Sequence, residues 1–204
     1  MRKLLILSLA IILAGCAGAG KKTSSLEYLA KGEMYHKTGD LKNAFKNLNK
    51  AVEVDHNNIE AYASRGALLY SMGDYKNALT DFTVVIYHQP YRADAYAAAG
   101  AAMAELGDYL NAQEVLLHAL KLNPSHIAAR VSLGGMYLTT QNYAAAIEEY
   151  TTAITLQPAG DIYFMRGIAY QQYGKIEEAH KDFKAAGLKE DEYPKIVPAP
   201  ETAD

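Results

Sequence analysis

A single cysteine, no tryptophan, four phenylalanines and six prolines stand in a chain of 204 residues. One cysteine cannot form an internal disulfide, so the fold must hold without covalent staples. No stretch approaches the ~20 consecutive apolar residues that a membrane-spanning helix requires. No run of Lys or Arg is long enough to follow a phosphate backbone, and the net charge is −3. Nucleic acid is therefore not an expected partner. Catalytic signatures are missing as well: there is no His-Glu-x-x-His, Gly-x-Ser-x-Gly elbow, Walker loop or dinucleotide fingerprint. The six histidines include no i, i+4 pair of the kind that binds zinc on a helix, and they read as solvated surface. No metal, cofactor or small-molecule substrate is expected, and the chain does not read as an enzyme.

What is present begins at the N-terminus. Met1-Arg2-Lys3 precedes the apolar run Leu4 to Leu13 and then Ala14-Gly15-Cys16. A positive start, a short apolar stretch and small residues before a cleavage point describe an export signal. The segment Leu13-Ala14-Gly15-Cys16 resembles the lipobox of bacterial lipoproteins, whose cysteine is acylated and becomes the first mature residue. The resemblance implies a signal peptide over 1–15 and a lipidated Cys16. Two or three acyl chains hold a protein firmly on a bilayer where one does not. Residues 16–24 are small and polar and read as a flexible tether, which spans at most about 30 Å when extended. Ala17 after the cysteine fits sorting to the outer membrane, with the folded part facing the periplasm.

The rest of the chain repeats. Gly-Asp doublets fall at 39–40, 73–74 and 107–108, and the next interval of 34 reaches Gln141-Asn142. Gly32, Gly66, Gly100 and Gly134 keep the same interval, as do Pro90, Pro124 and Pro158, while Gly167 follows at 33. Ala44, Ala78, Ala112, Ala146 and Ala179 keep step. Within one unit Tyr62, Gly66 and Leu69 share a helix face, and Tyr75, Ala78, Phe82 and Val85 share another. Between them, Gly73 suits a left-handed helix end and Asp74 an N-cap. The small pairs Gly66/Ala78 and Gly134/Ala146 are expected to let the two helices approach closely. Ser24-Ser-Leu-Glu27 has the spacing of a capping box.

This pattern resembles the tetratricopeptide repeat family, with aromatic landmarks at Tyr28, Tyr62, Tyr96 and Tyr163 and Arg130 departing in the fourth unit. The resemblance implies an all-α, right-handed superhelical solenoid of about five helix-turn-helix repeats over 25–190, with repeats at 25–58, 59–92, 93–126, 127–159 and 160–193. The tail 191–204 holds three prolines and reads as disordered or extended, either leaving the last repeat open or folding across it.

In the family, first helices line a concave groove that takes a peptide segment. Carried onto this chain, the groove candidates are Leu26, Leu29, Tyr70, Asp94, Val131, Leu138, Phe164 and Ile168, with Ala63 among the smaller residues between them. Leu138 and Phe164 read as free of the repeat core. Clamps for a terminal carboxylate use cationic donors at places where this chain has Leu29, Glu33, Ser64, Asp94 and Ala98, so that mode is not expected. The implied function is a non-catalytic scaffold or adaptor in the cell envelope, bound to the membrane through lipid. Pilotin-like assembly factors for secretins or type IV pili, and scaffolds of cell-wall hydrolases, share this architecture.

Overall fold

The computed structural model describes residues 24–195. Among them the regular structure is entirely helical. Helix α1 covers 24–37 and is followed by α2 (Leu41–Val54), α3 (Ile59–Ser71), α4 (Tyr75–His88), α5 (Ala93–Glu105), α6 (Tyr109–Leu122), α7 (Ile127–Thr139), α8 (Tyr143–Leu156), α9 (Gly160–Gln172) and α10 (Ile176–Ala185). Each expected repeat is thus a helix-turn-helix. None of these helices is long and apolar enough to cross a membrane. The chain divides into two compact units, Met1–Ala102 and Met103–Asp204. In the first, Leu29, Ala44, Leu48, Ala51, Val52, Ala61 and Leu68 form a core flanked by Tyr28, Tyr35, Phe45 and Tyr62. In the second, Ala146, Tyr150, Ala153, Ile154, Ile162 and Ala169 do the same.

The turn inside each repeat follows from two residues. Gly39, Gly73, Gly107 and Gly174 take φ between 78° and 84°, a region open to glycine without steric cost. The residue after each folds its amide back to a first-helix carbonyl five positions earlier, as in Asp40 N–H to Tyr35 (2.9 Å) and Asp74 N–H to Leu69 (2.9 Å). That pattern is a Schellman motif, which satisfies carbonyls left over at the helix end. The same aspartate then caps the next helix: Asp40 accepts from the Asn43 amide at 3.1 Å, Asp74 from Asn77 at 3.3 Å and Asp108 from Asn111 at 3.5 Å. Each asparagine side chain also donates to its aspartate at 2.7–2.8 Å. One residue therefore ends one helix and starts another. The fourth repeat keeps this geometry with Gln141 at φ 60° and Asn142 as the cap. In the fifth, Lys175 caps without a side-chain bond.

The helices of a repeat meet at the periodic glycine. A Cβ on Gly32 would lie 2.6 Å from Leu48, on Gly66 2.8 Å from Phe82, on Gly134 2.7 Å from Tyr150 and on Gly167 2.6 Å from Phe183. This differs from the expected small-with-small pairing. Ala78 and Ala146 are buried, but the glycines make room for the large side chain 16 residues further on. A ring pressed on bare backbone buries more apolar surface than two facing methyl-sized groups, so the close approach serves packing density.

The two ends are held by contacts outside the 34-residue pattern. Residue 24 is already helical, and the Ser25 hydroxyl, wholly buried, donates to the Ala51 carbonyl (2.8 Å) and accepts from Asn58 Nδ2 (2.8 Å). It ties α1 to the end of α2 and the start of α3. At the other end, residues 191–195 take the second of the two courses expected of the tail, folding across the last repeat. A 3-10 turn at Glu190–Glu192 brings the Tyr193 ring to 5.1 Å from His180 and 5.4 Å from Phe183. The buried Gln171 amide donates to the Pro194 carbonyl at 2.7 Å. The segment folds across the last repeat and covers a face that a further helix pair would otherwise need to cover. Residues 196–204 lie outside the described residues.

Gly66→Leu tests this packing. Leucine is the better helix former by about 0.8 kcal/mol, yet the displaced Phe82 ring should leave a net loss of about 1–3 kcal/mol in urea unfolding. An unchanged midpoint would contradict the glycine-on-ring arrangement.

Candidate protein-binding surface

Within the first unit, α3, α4 and α5 enclose a hollow of about 180 Å³. Its walls are Ala63, Ala67, Phe82, Val85, Ala95 and Ala98, with Arg92 and Asp94 also lining it. The hollow exists because α3 and α5 present alanines where larger residues would fill the space. Phe82 and Val85 supply a buried apolar floor. At the rim, Arg92 is held by both oxygens of Glu60 (2.7 and 3.1 Å) and by Gln89 (2.9 Å). The Ser64 hydroxyl donates to Glu33 at 2.7 Å and links α3 to α1. An apolar floor with a polar rim suits one aliphatic or aromatic side chain of a bound segment.

The sequence-predicted groove residues divide into several groups. Asp94 is exposed and lines this hollow, as does the half-buried Ala63. Leu26 is half exposed on α1. Leu29 belongs to the core of the first unit, only 8% exposed, and is not available as an anchor. Tyr70 is half-buried, its ring edge-on to Tyr75 at 5.2 Å. In the second unit Val131 and Leu138 are half-buried against the core cluster, and Phe164 tilts onto Phe183 at 5.8 Å. Leu138 and Phe164 are therefore part of the packing, not free of it. They sit where successive helices meet, and a helix face in a stacked array serves two neighbours at once. Ile168 is half-buried on α9. Cys16 lies outside the described residues.

Reading by residue type missed the charged staples. Arg65 donates to both Asp81 oxygens (2.8 and 2.7 Å) and to Asn49 Oδ1 (2.9 Å), with its guanidinium 5.5 Å above the Tyr62 ring. Arg166 repeats the design with both Asp182 oxygens (2.7 and 2.8 Å) and Thr151 (2.9 Å), against Tyr163 and Tyr170. Hydrogen bonding to the buried carboxylates holds both guanidinium pKa values above their usual range, outweighing burial, which lowers them. Each staple joins the two helices of its repeat to the second helix of the repeat before. A signal for them exists: Arg-Gly at 65–66 and 166–167 is followed 16 residues later by Asp-Phe at 81–82 and 182–183. In the fourth repeat Arg130 takes another route, to Glu149 (2.9 Å) and the Pro124 carbonyl (2.8 and 3.2 Å). Tyr150 carries a buried hydroxyl without a partner, and burial pushes its pKa up. Among the described residues no cluster of three or more His, Cys, Asp or Glu is arranged to hold a metal ion.

The comparisons with known proteins agree with this architecture. A model described as TPR repeat matches residues 32–73, and one described as Tetratricopeptide repeat matches 97–161, together just over half of the chain. The chain belongs to the tetratricopeptide repeat family. A crystal structure of MamA is 28% identical, with a TM-score of 0.63, over 76% of this chain and 91% of that one. MamA 41-end from Desulfovibrio magneticus RS-1 is 22% identical, TM-score 0.67, over 80% and 93%. TTC0263, a thermophilic TPR protein in Thermus thermophilus, is 18% identical with a TM-score of 0.72, over 79% and 89%. The last two show the fold alone. No curated protein matches. The fold is one that serves protein interaction.

The staples are testable by a double-mutant cycle. Arg166→Met leaves Asp182 buried without its counter-charge and should cost about 3–5 kcal/mol. Arg166→Met with Asp182→Leu should recover most of that loss. A double variant as unstable as the single would show that the pair itself is not what the arginine supports.

Proposed function

We propose that this protein is a non-catalytic, membrane-anchored adaptor that holds an apolar side chain of a partner's peptide segment in the hollow between α3, α4 and α5. The observation that carries the reading is the alanine-walled cavity over Phe82 and Val85 in a protein-interaction fold. Alanines on the two outer helices leave an open, mostly apolar hollow at the seam, the concave kind of site that takes a side chain. The arginine, glutamate and aspartate at the rim would orient backbone groups of the segment and exclude mismatched charge. The placement of the adaptor comes from the N-terminus: Cys16, after Leu13-Ala14-Gly15, is the lipid attachment point, and the folded part sits in the periplasm at the outer membrane. The hollow would serve a secretin pilotin and a cell-wall scaffold alike.

Two experiments separate the halves of this reading. Ala67 is exposed on α3 at the wall of the hollow, so Ala67→Glu should keep the circular dichroism spectrum and melting temperature while abolishing crosslinked partners in intact cells. A folded variant that retains every partner would move binding elsewhere. For the anchor, Cys16→Ser should transfer the protein from the membrane pellet to the soluble periplasmic fraction. Retention in the pellet at wild-type level would refute lipid attachment at Cys16.

A further inference from the structure

We propose that the edge of the first unit bearing Tyr87 and Tyr91 rests on the lipid surface, an inference that depends on the anchor reading above. These are among the most exposed large side chains of the described residues, at 82% and 85%. They fall within five residues of each other, in the last turn of α4 and in the turn that follows it. The repeat does not call for them. At intervals of 34 the place of Tyr87 is held by Glu53, Lys121 and Thr155, and that of Tyr91 by Asn57, Ser125 and Ala159. Each of these positions carries a charged, polar or small residue where this repeat has a phenol. Isolated apolar residues on a surface need no explanation, but a paired departure from the repeat's own register does.

Side-chain contacts fix the edge. Ser25, at the start of α1, is bonded to Ala51 near the end of α2 and to Asn58, the cap of α3. Glu60, in the first turn of α3, takes both donors of Arg92, the neighbour of Tyr91. The entry of α1, the α2–α3 turn and the α4–α5 turn therefore line one edge, and the tyrosines project from it. Residue 24, the first described residue, lies on that same edge. Eight residues, 16–23, precede α1 and reach no more than about 30 Å even when extended, so this edge cannot stand far from an anchored lipid. Tyrosine suits that location because its ring is apolar and its hydroxyl remains among water and headgroups. His88, exposed and edge-on to Tyr87 at 5.1 Å, adds a second polar-tipped ring.

The chain's composition supplies the probe. It has one cysteine and no tryptophan, so the chain from Cys16 onward can be coupled through its thiol to a maleimide-bearing lipid. The vesicles are phosphatidylethanolamine with a minority of phosphatidylglycerol. Three variants each carry one indole: Tyr87→Trp, Tyr91→Trp and, on the α3–α4 turn at the far end of α3, Met72→Trp. On vesicles at low protein density, the first two should shift emission to the blue and be quenched by brominated acyl chains, while Met72→Trp stays solvent-like. Identical, solvent-like emission from all three would overturn the proposal. So would a shift that appears only as protein density on the vesicle rises, which would assign the tyrosines to contacts between copies. Because the attachment is chemical, the outcome is independent of whether Cys16 is acylated in cells, which the Cys16→Ser fractionation decides.

Discussion

The contact between a bare glycine and a large side chain of the paired helix sets the geometry from which the rest follows. At Gly32, Gly66, Gly134 and Gly167 even a single Cβ would fall within 2.6–2.8 Å of Leu48, Phe82, Tyr150 or Phe183. Such proximity fixes both the spacing of two helices and their rotation, because only one face of the first helix is bare. The turn supports the same geometry, with glycine in the left-handed region and the next residue capping the following helix. Packing and turn chemistry thus specify one hairpin, a consistency that favours a single native arrangement.

Hairpins so defined must then be joined. Arg65 and Arg166 reach the aspartate of their own repeat and a polar group on the helix before it, through planar, bidentate contacts that lysine could not reproduce. Ser25 performs a related task at the first repeat, and Tyr193 with Pro194 covers the last. Where α3 and α5 carry alanine, the seam does not close completely and a hollow remains over Phe82 and Val85. The proposed binding capacity is thus a local relaxation of the same packing.

Much of this was legible in the residues. An interval of 34 shared by glycines, aspartates, prolines and alanines defined the repeat and placed both helices and turn. The partner of each glycine was misassigned, because spacing shows which residues share a face but not which of two neighbours the face meets. Groove candidates suffered for the same reason: Leu29, Leu138 and Phe164 lie on first helices, yet each is drawn into packing between helices. The arginine–aspartate staples were visible as a recurrent Arg-Gly and Asp-Phe pair, but only to a search that compared charged residues between repeats. The segment over the last repeat left no periodic trace, since its contacts at Gln171, His180 and Phe183 are tertiary.

The most direct measurement of the central claim is site-specific photocrosslinking in intact cells. A photoreactive side chain at Ala98 stands at the hollow, and one at Thr83 stands exposed on α4 away from it. The account predicts that position 98 yields a discrete crosslinked partner and position 83 does not. Crosslinks from 83 with none from 98 would contradict it and place binding on the opposite side of the repeat.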